Sequence, residues 1–423
     1  MPANLEISYT SLKSARAYRS RLAWSIWFVT TTFVLLQFFL QLSSGEIIAG
    51  LMKSFALTAF GGGVLASSYY YIYILLQIPA GMLIDRFGAR NILSISALTV
   101  CIGSLLFAIA KVVIFALLGR VLMGIGAAFA FVGCLKLITI WFPARRFAFM
   151  TAIVETAGMF GAITGNLWIA HFIQQAGWRD CIKMASIFAA ILSFFLFLMV
   201  RNNPRKKKLN LPKITTVALS NGLKSILRNA TAWINGVYCG FMFGLVTVFI
   251  ALWAIPFLET THHANLMDAT LSASAVYIGM AIGGPLIGWI DEKTAWRQKI
   301  MVINAILASI LLFIVIFSAQ SSLWTISILL FFTGLFASSY VLTYAIANEI
   351  ATLENRATSI GFTNMFCVLF APFLQPLIGF LITHFKGDHD YFQHAVSIVP
   401  MLMLSSAVIG FYLPKKNIYE RRP

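Results

Sequence analysis

The stretch Gly81-Met-Leu-Ile-Asp85-Arg86-Phe-Gly88-Ala-Arg90 joins two long apolar runs, at 60–84 and 92–110. Each run can cross a bilayer as a helix, because about 20 consecutive apolar residues span the hydrocarbon core. The short charged stretch between them predicts a turn on one side of a membrane. Gly88 suits such a turn, because glycine adopts backbone conformations that other residues avoid. Asp85 can pair with either of the two arginines that follow it.

The rest of the chain repeats this pattern. Of its 423 residues, 60% are hydrophobic and only 11% are charged, which excludes a soluble globular protein of this size. Continuous apolar runs exclude a β-barrel, which needs alternation, and predict helices that satisfy their own backbone hydrogen bonds. We predict twelve membrane helices, near 22–43, 60–84, 92–110, 113–139, 147–171, 182–200, 230–257, 269–290, 300–318, 322–347, 357–383 and 392–413.

Lysine and arginine indicate the orientation. With the N-terminus inside, nearly all basic residues of the loops fall on the cytoplasmic side, whereas the outer loops hold Lys53, Lys111, Arg179 and Lys386. This distribution follows the positive-inside rule and places both termini in the cytoplasm. It also accounts for the formal charge of +17, so we expect no nucleic-acid partner. No long extra domain is evident, and we expect a multi-pass protein of a bacterial inner membrane.

A basic segment divides the predicted helices into two sets of six. It opens with RNNPRKKKLN, and the two sets share a faint repeat. Pro79 precedes Asp85 by six residues at the end of the second helix, and Pro285 precedes Asp291 likewise in the other half. We predict five parts: a cytoplasmic segment 1–21, a six-helix bundle 22–200, a linker 201–229, a second bundle 230–413 and a tail 414–423.

The stretch at 81–90 resembles the loop signature G-x-x-x-D-R-x-G-x-R of the major facilitator superfamily. Other matches are Arg120 with Gly124 and Gly126, Trp141-Phe142-Pro143, Gly177-Trp178-Arg179, and Glu354 with Arg356. The resemblance implies an all-α fold of twelve helices in two pseudo-symmetric six-helix bundles, with a central site and alternating access. It also implies a cytoplasmic gating motif of Gly81, Asp85, Arg86, Gly88 and Arg90. The second-half counterpart, DEKTAWRQK, lacks the glycine and the paired basic residues.

Three charges lie well inside predicted helices: Arg120, Lys136 and Glu155. A charge inside a membrane is costly, so a function is the first hypothesis for each. Lys136 and Glu155 lie on adjacent predicted helices and could meet as an ion pair. We predict both for proton coupling, with Glu155 the carrier; a purely structural pair is the alternative, and a permanent pair would prevent that role. For Arg120 the expected partners are substrate, water or backbone carbonyls, and structural support stays an alternative.

Polar side chains at helical spacing indicate a cavity. In the resembling family the first, fourth, seventh and tenth helices line it. The predicted substrate ligands are Arg120, Gln37, Gln41, Asn235, Tyr238, Tyr340, Tyr344 and Asn364. Packing or interfacial roles are the alternative for the tyrosines.

These features predict a secondary transporter that moves a small anionic or zwitterionic solute, such as an amino acid, peptide or organic acid, by proton-coupled uptake. An exporter of a drug or siderophore is an alternative, although the fifth helix lacks the Gly-Pro of drug–proton exporters. A membrane enzyme would need a catalytic cluster at membrane depth, which we do not find, and a transporter-like receptor stays open. We expect a monomer in lipid with no cofactor, no metal and only solute and protons as further partners.

Overall fold

The structure is a computed structural model. It describes residues 3–142, 147–201, 224–294, 296–318, 320–351, 356–385 and 390–415. Side chains are described from residue 21 onward, except at 78, 81, 82, 85, 86, 139, 147–149, 152, 174, 292, 356 and 357. The side chains of Gly81, Asp85 and Arg86 in the predicted gating motif therefore lie outside the described set.

Helices make up nearly all of the described chain. The first half contains α1 (Ala3–Leu42), α2 (Ser44–Phe55), α3 (Ala59–Phe87), α4 (Ala89–Ile109), α5 (Val113–Trp141) and α6 (Phe147–Met199). The second half contains α7 (Ala230–Gly244), a π-helix (Leu245–Trp253), α8 (Ala254–Thr261), α9 (Leu266–Lys293), α10 (Arg297–Phe317), α11 (Leu323–Ala337), a 3₁₀-helix (Ser338–Val341), α12 (Leu342–Glu349), α13 (Arg356–Leu369), α14 (Ala371–His384), α15 (Tyr391–Val396) and α16 (Ile398–Gly410).

Eleven segments of the described residues are long and apolar enough to cross a membrane. The part of α6 before Gly177 supplies the twelfth, because α6 contains two predicted helices that meet at this glycine, with φ of 76°. The helices form two bundles of six. Within the first bundle α4 packs on α5 and α6, and within the second α9 packs on α11 and α10 on α16. The bundles meet where α3 packs against α13 and α14, and where α6 packs against α9.

Gly88 forms the predicted turn. Its φ of 85° and ψ of 143° end α3 and begin α4, a conformation that strains any residue with a Cβ atom. Arg90, just after it, donates a hydrogen bond of 2.6 Å to the carbonyl of Phe197 and stacks on that ring. This part of the motif therefore ties α4 to the end of α6.

The segment after the first membrane helix differs from the prediction, which treats it as an outer loop. It forms α2, whose first turn is buried. The reason is tertiary: α2 packs against α3 and α6 on one side and against the π-helix and α8 on the other. We call this end of the molecule the outer end, following the predicted orientation.

The two bundles are in close contact at the outer end. A Cβ atom on Gly63 of α3 would lie 2.8 Å from the carbonyl oxygen of Gln375 and 2.9 Å from Cα of Pro376. Only glycine permits this backbone approach. In the same region Gln375 donates a 2.7 Å hydrogen bond to the carbonyl of Thr247, and Trp253 donates one of 3.2 Å to that of Gln375. The outer end is closed in this conformation.

Candidate functional site

A narrow cavity lies between the two bundles. The first bundle contributes side chains from α1, α3, α5 and α6, and the second from α7, the 3₁₀-helix, α12 and α13. The lining residues are Gln37, Phe38, Gln41, Tyr73, Phe131, Glu155, Phe243, Tyr340, Tyr344, Asn364, Cys367 and Val368. Six of the residues predicted for substrate or proton binding meet here: Gln37, Gln41, Tyr340, Tyr344, Asn364 and Glu155.

The first-bundle wall of the cavity is a chain of amides and a phenol. Gln37 and Gln41 lie one helical turn apart on α1, and Gln37 Nε2 donates to Gln41 Oε1 at 2.8 Å. The same nitrogen lies 3.4 Å from the Tyr73 hydroxyl on α3. Within the described residues Gln37 Oε1 has no partner. It is therefore an acceptor that a solute hydroxyl can use.

The second-bundle wall is built on a local break in regular helix. The 3₁₀-helix leads into α12, and Tyr340 and Tyr344, four residues apart, both face the cavity with ring centroids 6.4 Å apart. The Tyr344 hydroxyl donates to Asn364 Oδ1 at 2.8 Å. Asn364 Nδ2 in turn donates to Gln77 Oε1 of α3 at 2.9 Å, so the wall is linked to the other bundle.

Glu155 is the only charged group among the described residues that line the cavity. The sequence left open an ion pair between Glu155 and Lys136. The structure describes both side chains, and none of the ion pairs between described residues joins these two. Glu155 points into the cavity, whereas Lys136 lies nearer the cytoplasmic end of α5 and does not line the cavity.

Arg120 lies outside the cavity and holds helices together. Its guanidinium donates to the carbonyl of Leu40 at 3.1 Å, to Ser44 Oγ at 3.1 Å and to the carbonyl of Ala66 at 2.7 Å. It also lies over the ring of Tyr69. Backbone carbonyls, one of the partners expected from the sequence, are thus the partners found. This arrangement ties α5 to α1, α2 and α3.

Asn235 and Tyr238 are also buried away from the cavity. Asn235 donates to the carbonyl of Thr343 at 2.9 Å, and the Tyr238 hydroxyl donates to the carbonyl of Met301 at 2.8 Å. Both side chains face the interior of the second bundle. Helical spacing alone placed them on one face of α7 but could not say which neighbour that face contacts.

The cytoplasmic end of the second bundle carries a charge cluster that the sequence did not reveal. Arg297 makes two hydrogen bonds to Asp291, at 3.1 and 3.0 Å, and a third to Glu349 at 2.6 Å. The DEKTAWRQK stretch therefore keeps an acid–arginine contact despite lacking the glycine. A signal was present, since Asp291 repeats the position of Asp85, but Glu349 comes from a distant part of the chain.

Glu46 is a buried acid that sequence reasoning missed. It lies in the first turn of α2, is only 4% exposed, and its Oε2 has no partner among the described residues. Burial raises the pKa of this carboxyl to about 8. The apolar residues Ile47, Ile48 and Leu51 around it indicate a buried helix face, and this was the available signal.

The comparisons with known proteins agree with this architecture. Over 66% of this chain and 68% of the relative, the chain is 23% identical to the uncharacterized transporter YybO of Bacillus subtilis. It is 22% identical to the probable galactarate/D-glucarate transporter GudP of Escherichia coli, over 80% of this chain and 83% of the relative. The solved structure of a D-xylose–proton symporter superposes with a TM-score of 0.74 at 18% identity, covering 93% of this chain and 98% of that one.

A family model covers nearly the whole chain. The model of the Major Facilitator Superfamily matches residues 25–376 and 249–423. The helices, the two bundles and the cavity between them are the parts that alternating access requires. The chain is therefore a membrane-embedded secondary transporter rather than an enzyme, and it belongs to the Major Facilitator Superfamily.

Proposed function

We propose that this protein takes up a sugar-derived organic acid together with protons, and that the cavity described above is the solute site. The observation that carries the proposal is the convergence of Gln37, Gln41, Tyr344 and Asn364 around Glu155. Amide and phenol groups both donate and accept hydrogen bonds, which suits a solute with several hydroxyls. The named substrates of GudP are such hydroxylated acids.

Charge explains why protons accompany the solute. An ionised Glu155 would repel a carboxylate inside the cavity, where the dielectric constant is low and Coulomb forces are strong. A protonated Glu155 removes this repulsion and adds a hydrogen-bond donor. The anion therefore binds once Glu155 carries a proton, so that solute and proton move together. Lys136 and Arg120 act outside the cavity, Lys136 by adding positive potential near its cytoplasmic side.

We further propose the orientation that the basic residues predict, with both termini cytoplasmic in a bacterial inner membrane and a monomer as the working unit. The five-part division of the chain and the gating role of Asp85, Arg86 and their neighbours belong to this proposal. In this orientation the outer end of the structure is closed. The next step of the transport cycle is therefore a movement at the cytoplasmic end.

Uptake into proteoliposomes tests the proposal. With the interior more alkaline than the bath, galactarate and D-glucarate should accumulate above their bath concentration, and a protonophore should abolish the accumulation. Amino acids, dipeptides and D-xylose complete the panel, because they cover the zwitterionic and neutral classes. Accumulation of one of these in place of the sugar acids would refute the solute class. Equal uptake with and without the pH gradient would refute the coupling.

A further inference from the structure

The outer end contains a buried acid that the solute cavity does not use. Glu46 lies between the two bundles, because α2 of the first bundle packs against the π-helix and α8 of the second. A Cβ atom on the preceding Gly45 would lie 3.4 Å from Ile255 Cδ1 and 3.5 Å from the carbonyl oxygen of Leu252. Opening the outer end must separate these surfaces and bring water to Glu46.

The groups that face Glu46 are mostly neutral. Tyr277 of α9 lies close enough to Glu46 to interact with it electrostatically, and Tyr70 of α3 and Asn166 of α6 lie beside Tyr277. The Tyr70 hydroxyl donates to the carbonyl of Gln41 at 3.2 Å. The hydroxyl of Tyr277 has no partner among the described residues. A neutral carboxyl group can share a hydrogen bond with such a hydroxyl, whereas a carboxylate would be poorly solvated here.

The charged groups on the elements around α2 do not neutralise Glu46. Arg120 bonds to Ser44, two residues before Glu46; its NH1 and NH2 groups donate to that hydroxyl and to two carbonyls, and within the described residues its Nε has no partner. Arg179 of α6 donates to carbonyls of Ala108 and Ala110. Lys53 is exposed at the other end of α2. The π-helix has no ionisable residue, and α8 has one, Glu259, near the outer surface.

A row of hydroxyls runs along α9 from its outer end to Tyr277, which interacts with Glu46. Thr270, Ser274 and Tyr277 follow one another at spacings of four and three, which places them on one helix face. All three are at most 3% exposed, and within the described residues none of the three hydroxyls has a partner. Buried hydroxyls without protein partners are sites for bridging water. Thr270 lies nearest the outer surface, so the row leads inward from there to Tyr277.

We propose that Glu46 is a proton-binding site that the outer solution reaches along Thr270, Ser274 and Tyr277, and that proton binding there closes the outer end of the transporter. The proposal goes beyond the solute site and does not depend on which solute is carried.

The direction of the pH effect follows from the two environments. In the closed form burial raises the pKa of Glu46 to about 8, whereas in an open, hydrated form the pKa is near the ordinary value of 4.5. The closed form thus holds the proton more tightly, so acid favours closure. Below the ordinary pKa closure is fully favoured. Between the two values the ratio of closed to open protein falls about tenfold for each unit of rising pH.

Spin labels on the outer ends of the two bundles measure this ratio without any solute. Lys111 and Gln320 are exposed in loops of the first and second bundle, and both can be replaced by labelled cysteines. Cys101 is partly exposed and is changed to serine, whereas the other four cysteines are buried. In purified protein we expect the short, closed distance at acid pH and a growing long-distance population as the pH rises toward 8.

The variants decide whether Glu46 is responsible. Glu46→Gln should give the closed distance at all pH values. Glu46→Asp keeps a carboxyl group, so its label distance should still change with pH, which would show that the protein folds with a substitution at this position. Glu259→Gln is the matched control, an acid on the same outer end, and should titrate like the unaltered protein. Ser274→Leu should slow the response to a pH jump without moving its midpoint.

Two results would overturn the proposal. One is a Glu46→Gln protein that still titrates like the unaltered one, and the other is an unaltered protein whose distances ignore pH. Because no solute is present, neither result bears on the uptake assay. Failure of sugar acids to accumulate would likewise leave this experiment unaffected.

Discussion

The two halves of the molecule contribute different chemistry to the space between them. The first bundle brings Glu155 to the cavity and Glu46 to the outer end, and it holds Arg120 between its helices. The second bundle brings neutral polar groups to the cavity, mainly Tyr344 and Asn364, and keeps a charge cluster at its cytoplasmic end.

This difference suggests that proton binding and solute recognition depend on different groups of the fold. Proton binding needs carboxyl groups whose surroundings change between conformations, and the first bundle holds them. Solute recognition needs donors and acceptors of fixed geometry; the second bundle supplies Tyr344 and Asn364 beside a 3₁₀-helix, and the first bundle adds Gln37 and Gln41. Changes at the acids of the first bundle should therefore alter coupling, and changes at the cavity amides and phenols, such as Asn364 of the second bundle, should alter affinity.

The largest effect is expected at Glu155. Glu155→Gln mimics the protonated acid permanently, so the anion can bind without a proton. Uphill accumulation driven by a pH gradient should fall to the level of the bath, while exchange of internal for external solute continues. Both are measured in the same proteoliposomes. Glu259→Gln, which removes an acid outside the cavity, should accumulate solute normally, and retained accumulation by Glu155→Gln would contradict the coupling role.

For Arg120, a structural role and a solute-binding role predict different outcomes. Arg120→Lys keeps the charge but cannot reach three acceptors on different helices. We expect a loss of about 1–3 kcal/mol of stability for each buried acceptor left unbonded, seen as a lower melting temperature in detergent. Solute affinity should change less than stability does. A normal melting temperature with weakened sugar-acid binding would place Arg120 in the solute site instead.

Asn364 tests the second bundle. Asn364→Ala removes the acceptor for Tyr344 and the donor to Gln77. Solute affinity should weaken by about tenfold or less, the value of one net hydrogen bond, while the dependence of uptake on the pH gradient persists. Binding is measured by titration calorimetry. Asn235→Ala is the matched variant, since Asn235 is buried away from the cavity, and it should lower stability more than affinity.

The smallest effect is expected at the cluster of Asp291, Arg297 and Glu349 and at the matching sequence position in the first half. Asp291→Asn removes the charge from the contact with Arg297, and Asp85→Asn changes the corresponding position of the first half. Each should slow uptake a few-fold with little change in affinity, because the opening and closing of that end is altered rather than the cavity. Initial rates over a range of solute concentrations separate these quantities. Unaltered rates in both variants would argue against a gating role.

Sequence patterns were informative where one helix carries the whole signal. The four-residue spacing of Gln37 with Gln41, and of Tyr340 with Tyr344, placed each pair on one face, and both pairs meet in the cavity. Helical spacing did not predict which neighbouring element a helix face contacts. Asn235 and Tyr238 have the same kind of spacing, but their face packs into the second bundle. Periodicity shows that a face is shared but not what it contacts.

The charged residues inside the membrane show the same limit of sequence-based prediction, here for the free energy of burying a charge. The cost of placing Arg120 and Glu155 in a membrane identified both from the sequence, because that cost does not depend on neighbours. Their partners do depend on neighbours, and the predicted pair of Lys136 with Glu155 is absent between these two described residues. Glu46 escaped notice because it lies just beyond the first apolar run, in a segment whose burial comes from α8 and the π-helix.

The membrane location, the helical class, the turn at Gly88 and the superfamily could all be predicted from the sequence, because apolar length, backbone hydrogen bonding in lipid and local motifs are properties of contiguous residues. The tertiary structure alone decided that Arg120 supports helices, that Asp291, Arg297 and Glu349 form one cluster, and that Glu46 is buried between the bundles. Each of these depends on contacts between residues far apart in the chain, and pairing of distant segments is not encoded in any local pattern.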